Sequence, residues 1–155
     1  MDWLRLPFVR PVFGWIRSQL GISREHDVTV FSALNTIADE SRLDNVLNSS
    51  IYTSHLKLPE LQILEDFARA LERTENCFLH DTVQMRAAEL HHALTKLLDL
   101  VRETFFAHGD VLKFYPHPID KKLHDTKWSD LNKGIDNAWQ AYEVYRKAVK
   151  QYLRV

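Results

Sequence analysis

Apolar side chains recur along the C-terminal third of the chain with a helical period. Leu131, Ile135, Ala138, Tyr142, Tyr145, Val149 and Tyr152 are spaced 4-3-4-3-4-3, one stripe along a helix from about Ser129 to Leu153. Arg146, Lys147, Lys150 and Arg154 crowd its last turns, where positive charge complements the helix dipole. Val83, Ala87, Leu90, Leu94, Leu97 and Val101 repeat the pattern, widened by Leu98 and Phe105. They predict a second long helix from about Thr82 to Ala107. Asp81 with Gln84 reads as a capping box at its start, and Gly109 as a left-handed cap at its end. At 1.5 Å per residue both helices are roughly 40 Å long, enough to pair along their full length.

Pro59 to about Glu75 forms a medium helix, with Leu61, Leu64, Ala68 and Leu71 on one face. Pro59 suits its first turn, and Glu65 with Arg69 is a favourable i,i+4 pair. The short link TENCFLHD makes this helix an antiparallel neighbour of the next. Two shorter helices precede it, from Asp27 to about Ala38 and from Ser41 to about Asn48. The expected fold is an all-α helical bundle: two long antiparallel helices, one medium and two short. Residues 108–128 form a long connection containing Pro116 and Pro118, with VLKFYP locally extended because a residue before proline leaves the helical region. Residues 1–22 are read as a hydrophobic N-terminal arm and 23–155 as one bundle domain.

Composition narrows the function classes. The chain has 155 residues, 45% of them hydrophobic and 26% charged, as in an ordinary single globular domain. Twenty basic residues against 21 acidic ones leave a net charge of -1, so there is no sequence-wide attraction for nucleic acid. The lone Cys77 excludes an intramolecular disulfide and a multi-cysteine zinc site, and it suits a reducing, cytoplasmic compartment. The arm is not read as a secretion signal, because Arg5 and Arg10 interrupt its apolar run.

Candidate chemistry concentrates in CFLHDTVQMRAAELHHAL, residues 77–94. His80-Asp81 in FLHDTVQ resembles the LLHDIGK doublet of the helical HD phosphohydrolases, although Val83 and Gln84 replace that family's glycine and lysine. The resemblance implies a hydrolytic metal held by His80 and Asp81, with His55 before them and Asp125 or Asp130 after. The reading from the residues themselves is different: Asp27 and Asp81 each follow a histidine at a predicted helix start and serve as N-caps. His91 and His92 point about 100° apart, so they cannot clamp one ion; His91 is expected half-buried and His92 solvated. Cys77 has no base at fixed spacing and reads as a packed small residue. No metal and no cofactor is expected.

RETFFAH, with Arg102 and His108, is similar to the Arg-x4-6-His motif of HEPN ribonucleases. That resemblance implies a dimer in which the two residues of each subunit meet and cleave RNA without metal, the histidine acting as general acid and base. Arg102 and His108 are thus the catalytic candidates. Arg86 with His91 or His92 has similar spacing, but regular helix separates them by about 120–140°. Trp139, Tyr142, Tyr145 and Tyr152 are read as core rather than as a base-stacking platform.

The arm holds the feature these elements do not absorb. Trp3, Leu4, Leu6, Phe8, Val9, Val12, Phe13, Trp15, Ile16 and Leu20 crowd into twenty residues with Arg5, Arg10 and Arg17. Pro7 and Pro11 are expected to keep it from forming one helix, leaving a short one from Val12 to Leu20. Such a segment anchors another protein or a second copy of the chain, rests on a membrane surface, or lids its own bundle. Trp3, Phe8, Phe13 and Trp15 are its partner-binding candidates. The reading is a cytoplasmic interaction or regulatory module that binds another protein or dimerises. The HEPN-like ribonuclease is the alternative, and the HD-like phosphohydrolase comes third.

Overall fold

The computed structural model describes the backbone of residues 9–155 and the side chains of residues 21–155. Trp3 and Phe8 lie outside the described residues, as do the side chains of Phe13 and Trp15. The chain runs as α1 (Val9–Ile37), α2 (Glu40–Asp44) continuing into a π-helical stretch (Asn45–Ile51), α3 (Leu58–Glu72), α4 (Asp81–Thr104), strands β1 (Phe105–His108) and β2 (Val111–Phe114), and α5 (Lys121–Leu153). Among the described residues, five α-helices with one small hairpin make it an all-α fold with a β appendage.

Antiparallel packing of α4 on α5 organises the bundle. Their apolar stripes meet as predicted, with Leu90, Leu94, Leu97, Leu131, Ala138 and Val149 all 0–1% exposed. Lys127 bonds Glu103 at one end of the pair, and the His80 ring lies 4.2 Å from that of Tyr152 at the other. Toward the first of these ends Gly134 packs closely on α4. A Cβ on Gly134 would stand 3.2 Å from Leu100 Cδ1 and 3.3 Å from Leu97 Cδ1. α1 and α3 close the core with Val30, Leu34, Leu64, Phe67 and Leu71.

Several boundaries differ from the sequence reading, each for a local reason. α1 begins at Val9 and passes through the boundary drawn at residue 22. Pro11 does not break it, because the first-turn N–H groups of a helix lack intrahelical partners anyway. α5 begins at Lys121, where the Asp120 carboxylate accepts the Leu123 N–H at 3.1 Å. Its first two turns carry few core residues, so the apolar stripe understated its length. Arg69 bonds Asp66 rather than Glu65, which reaches across to Arg102 on α4 at 3.0 Å. Tyr152 is 38% exposed, and Leu153 takes its place in the core.

α4 also stops three residues early, at Thr104. From Phe105 the backbone is extended and pairs with β2; Phe105 is buried, and Phe106, Ala107 and His108 are exposed. Gly109 does have positive φ (65°), but it belongs to the two-residue turn between β1 and β2 rather than to a helix cap. Positive φ at that first turn position alone is the type II′ pattern, which suits the twist of a hairpin. The hairpin is tied to the bundle at its base and along the β2 edge. Tyr115 N–H donates to Thr104 O (2.9 Å), Phe114 N–H to Ser54 Oγ (2.7 Å), and Leu112 exchanges both backbone bonds with Leu56. Phe114 sits at the centre of edge-to-face contacts with Phe105, Tyr115, His124 and Trp128.

Burial pushes the phenol of Tyr142 up to about 12, and that of Tyr145 up further, above an ordinary value of 10.0. A raised phenol favours the protonated folded state. Its contribution is complete below pH 10 and is lost as pH climbs through the folded value. Urea midpoints should therefore fall between pH 10 and 12, and the fall should shrink in Tyr142→Phe. At neutral pH, Leu94→Ala should cost about 2–5 kcal/mol by cavity formation. Gly134→Leu should cost at least about 1–3 kcal/mol by overpacking the α4–α5 contact. Urea denaturation of both variants tests the pairing, and an unchanged midpoint in either would contradict it.

Candidate functional site

The most elaborate polar arrangement lies where α1, the start of α4 and the end of α5 meet. Asp27 is one of three buried polar residues among those described and is 1% exposed. Its carboxylate accepts the Leu79 N–H at 2.6 Å and the His80 N–H at 2.9 Å. These donors lie just ahead of α4, so an anion from another helix occupies the positive end of the α4 dipole. Gln84 Oε1 accepts the Phe78 N–H at 2.7 Å and completes the turn. Nearby, His26 Nε2 donates to Cys77 O (3.1 Å), and Arg24 Nε donates to Leu153 O (3.1 Å), tying α1 to both neighbours.

This arrangement corrects two expectations. Asp27 does not start a helix; it sits inside α1 and caps a different one. Asp81 is the first residue of α4 and is exposed, and the helix has no side-chain cap from its own N-cap residue, His80. A sequence signal for the true cap existed. Asp27, Val30, Leu34 and Ala38 are spaced 3-4-4, which puts a carboxylate on the apolar face of its own helix. A charge in that place must be paired or hydrogen-bonded.

His80 packs its ring on Tyr152, and its Nδ1 is buried without a partner. Beside it opens a cleft of about 390 Å³ lined by Ser23, Arg24, Asp27, Tyr152 and Arg154. The Asp27 carboxylate is already engaged by two backbone donors, so its chemistry is structural: it fixes the α3–α4 link against α1. Among the described residues no three His, Cys, Asp or Glu side chains form a group able to hold a metal ion. His55 Nδ1 is on Thr53 O (2.7 Å), and Asp125 is beside His124 on α5.

The other candidates fall as follows. Arg102 is on the last turn of α4, with its guanidinium bonded to Glu65 (3.0 Å) and Asp99 (3.4 Å). His108 is exposed at the end of β1, opposite Val111. Both lie toward the hairpin end of the bundle, and the bonds of Arg102 run to carboxylates. His91 is half-buried with Nδ1 on Ala68 O (2.9 Å), and His92 is exposed, as their helical positions predict. Cys77 is half-buried, and its thiol contacts Arg73 O at 3.8 Å.

Exposed apolar groups gather around the same α1–α4–α5 junction. Tyr152 lines the cleft, and Val155 lines a second one with Gly21, Arg24 and Val28. Among the described residues no helix is long and apolar enough to cross a membrane. In comparison with known proteins, the chain matches no family model, no curated protein and no solved structure.

The cap assignment separates two aspartates by measurement. Asp27→Ala leaves two backbone donors without their acceptor and should cost about 2–4 kcal/mol, since hydrogen bonds to a charged group contribute roughly 1.5–3 kcal/mol each and are not additive. Asp81→Ala should change stability by less than about 0.5 kcal/mol, as exposed positions outside such features do. Equal losses in the two variants, read from urea midpoints, would show the cap to be misassigned.

Proposed function

We propose that the chain is a cytoplasmic helical interaction module whose arm engages another protein. One observation carries the reading: Tyr152 and Val155, 38% and 48% exposed, line clefts against residues 21–29 of α1, where that helix leaves the core. Here the buried positions of α1 give way to a helix that continues back to Val9. An exposed apolar patch at the root of a helix is a docking feature, because a partner covering it would remove that surface from water. The arm's aromatic residues Trp3, Phe8, Phe13 and Trp15 suit the centre of such an interface, where tryptophan and phenylalanine dominate. Cytoplasmic action accords with the single cysteine.

The polar groups described here support a binding role over a catalytic one. Asp27, His26 and His91 each hold backbone groups between elements. Arg102 has two carboxylate partners. The ribonuclease reading retains one support, the shared location of the exposed Arg102 and His108 at the hairpin end.

Deleting residues 1–20 tests the proposal. The shortened chain should keep the far-UV circular dichroism of residues 21–155 and a cooperative melt, while losing capture of the partner that the full chain retains in cross-linked pull-downs. Collapse of the fold would instead make the arm a lid. Loss of vesicle pelleting without loss of partner capture would make it a membrane segment. In a parallel assay with chelator present, the full chain should leave RNA intact. Cleavage that disappears in His108→Ala would replace the module reading with the nuclease one.

A further inference from the structure

The hairpin is covered on one edge and open on the other. In register, Ala107 stands opposite Leu112 and Phe105 opposite Phe114. Leu112 uses both its N–H and its C=O on Leu56, and Phe114 N–H goes to Ser54 Oγ. Both residues therefore point their backbone groups away from β1. In an antiparallel ladder the two members of a pair are alike in this respect, so Ala107 and Phe105 point theirs away from β2. Phe105 N–H closes the last turn of α4 on Val101 O. Ala107 is exposed, and among the described residues its N–H and C=O have no partner.

We infer that β1 pairs antiparallel with β1 of a second copy of this chain, centred on Ala107, giving a four-stranded sheet β2–β1–β1–β2 across a two-fold axis. Three features favour a second copy as the occupant. First, one residue offering one outward donor and one outward acceptor is self-complementary, as a two-fold contact requires. Second, that register sets Phe106, 41% exposed, opposite His108 of the second copy, and the converse, in the closely spaced non-hydrogen-bonded pairs where cross-strand side chains interact best. Third, the charges are compatible. Phe105–His108 contains no Lys, Arg, Asp or Glu, and each chain carries a net charge of only -1, so copies meet without like-charge opposition. Natural edges are usually blunted by lysine, proline or a covering segment; among the described residues this one has none of these, whereas the β2 edge is covered.

The contact is independent of the N-terminal arm. A four-residue edge belongs to the small, transient class of interface, so the dimer is expected at high concentration. The test is sedimentation of the full chain up to about 0.5 mM, a range that populates weak interfaces. Wild type should show a reversible monomer–dimer equilibrium. Ala107→Pro removes only an outward N–H and should be monomeric, with unchanged circular dichroism and melting temperature. Phe106→Lys leaves every backbone donor in place and should weaken the dimer at least tenfold; it decides the matter if the proline variant perturbs the hairpin. The Ala107 amide should exchange quickly in dilute protein and become protected as concentration rises. A chain that stays monomeric throughout overturns the inference. So does a dimer whose strength is the same in wild type and Phe106→Lys.

Discussion

The rest of the molecule depends on how closely α4 and α5 approach. Gly134 lets the Leu97 and Leu100 methyls come within van der Waals reach of the α5 backbone, and a Cβ there would require both methyls to give by a few tenths of an ångström. Close approach aligns the two apolar stripes along their length, so that residues from Val83 to Val101 and from Leu131 to Leu153 are buried by each other and by α1 and α3. Packing at this density does not accommodate an added side chain without displacement. The ends of the pair then fix what can be built there. Its hairpin end holds β1 and β2, and its opposite end holds the junction with α1.

At that junction the constraint is electrostatic. The first N–H groups around a helix start need acceptors, and Asp27 supplies one carboxylate for two of them. A buried charge is tolerable only when its lone pairs are occupied, and here the backbone occupies them. The same bonds draw α1 onto the α3–α4 link, with Arg24 and His26 holding it on either side. Beyond this point α1 continues without buried side chains among the described residues, and the exposed apolar groups begin. The best-fastened part of α1 thus adjoins the surface proposed for binding, so a partner would meet a preorganised platform.

The hairpin end has a different logic. Phe114 is anchored among aromatic rings, and β2 is sealed by Leu56 and Ser54, so the hairpin is held as part of the bundle. Among the described residues, Ala107 on its outer edge is left unpaired. Arg102 lies on the turn of α4 leading into this strand, held back by Glu65 and Asp99. The two ends therefore differ in what fastens them, a carboxylate on backbone amides at the α1 junction and aromatic and backbone contacts at the hairpin.

Sequence periodicity by itself determined the class of fold, the α4–α5 pairing and most of its core. A stripe of Leu, Val and Tyr every three or four residues has one low-energy outcome, burial against a matching stripe. It also determined that His91 is half-buried and His92 solvated, since position on the helix decides both. What periodicity could not decide was where each element ends. α4 yields to β1 because Phe105 finds Phe114 and Leu112 finds Leu56, contacts between segments far apart in sequence. Asp27 looked like the cap of its own helix because a local motif can describe only local bonds, and the helix it caps begins more than fifty residues later. The roles of Gly109 and Gly134 divide in the same way. Gly109 was legible as a positive-φ residue from composition, but its place in a hairpin, and the close approach at Gly134, were decided only when distant backbones were brought together.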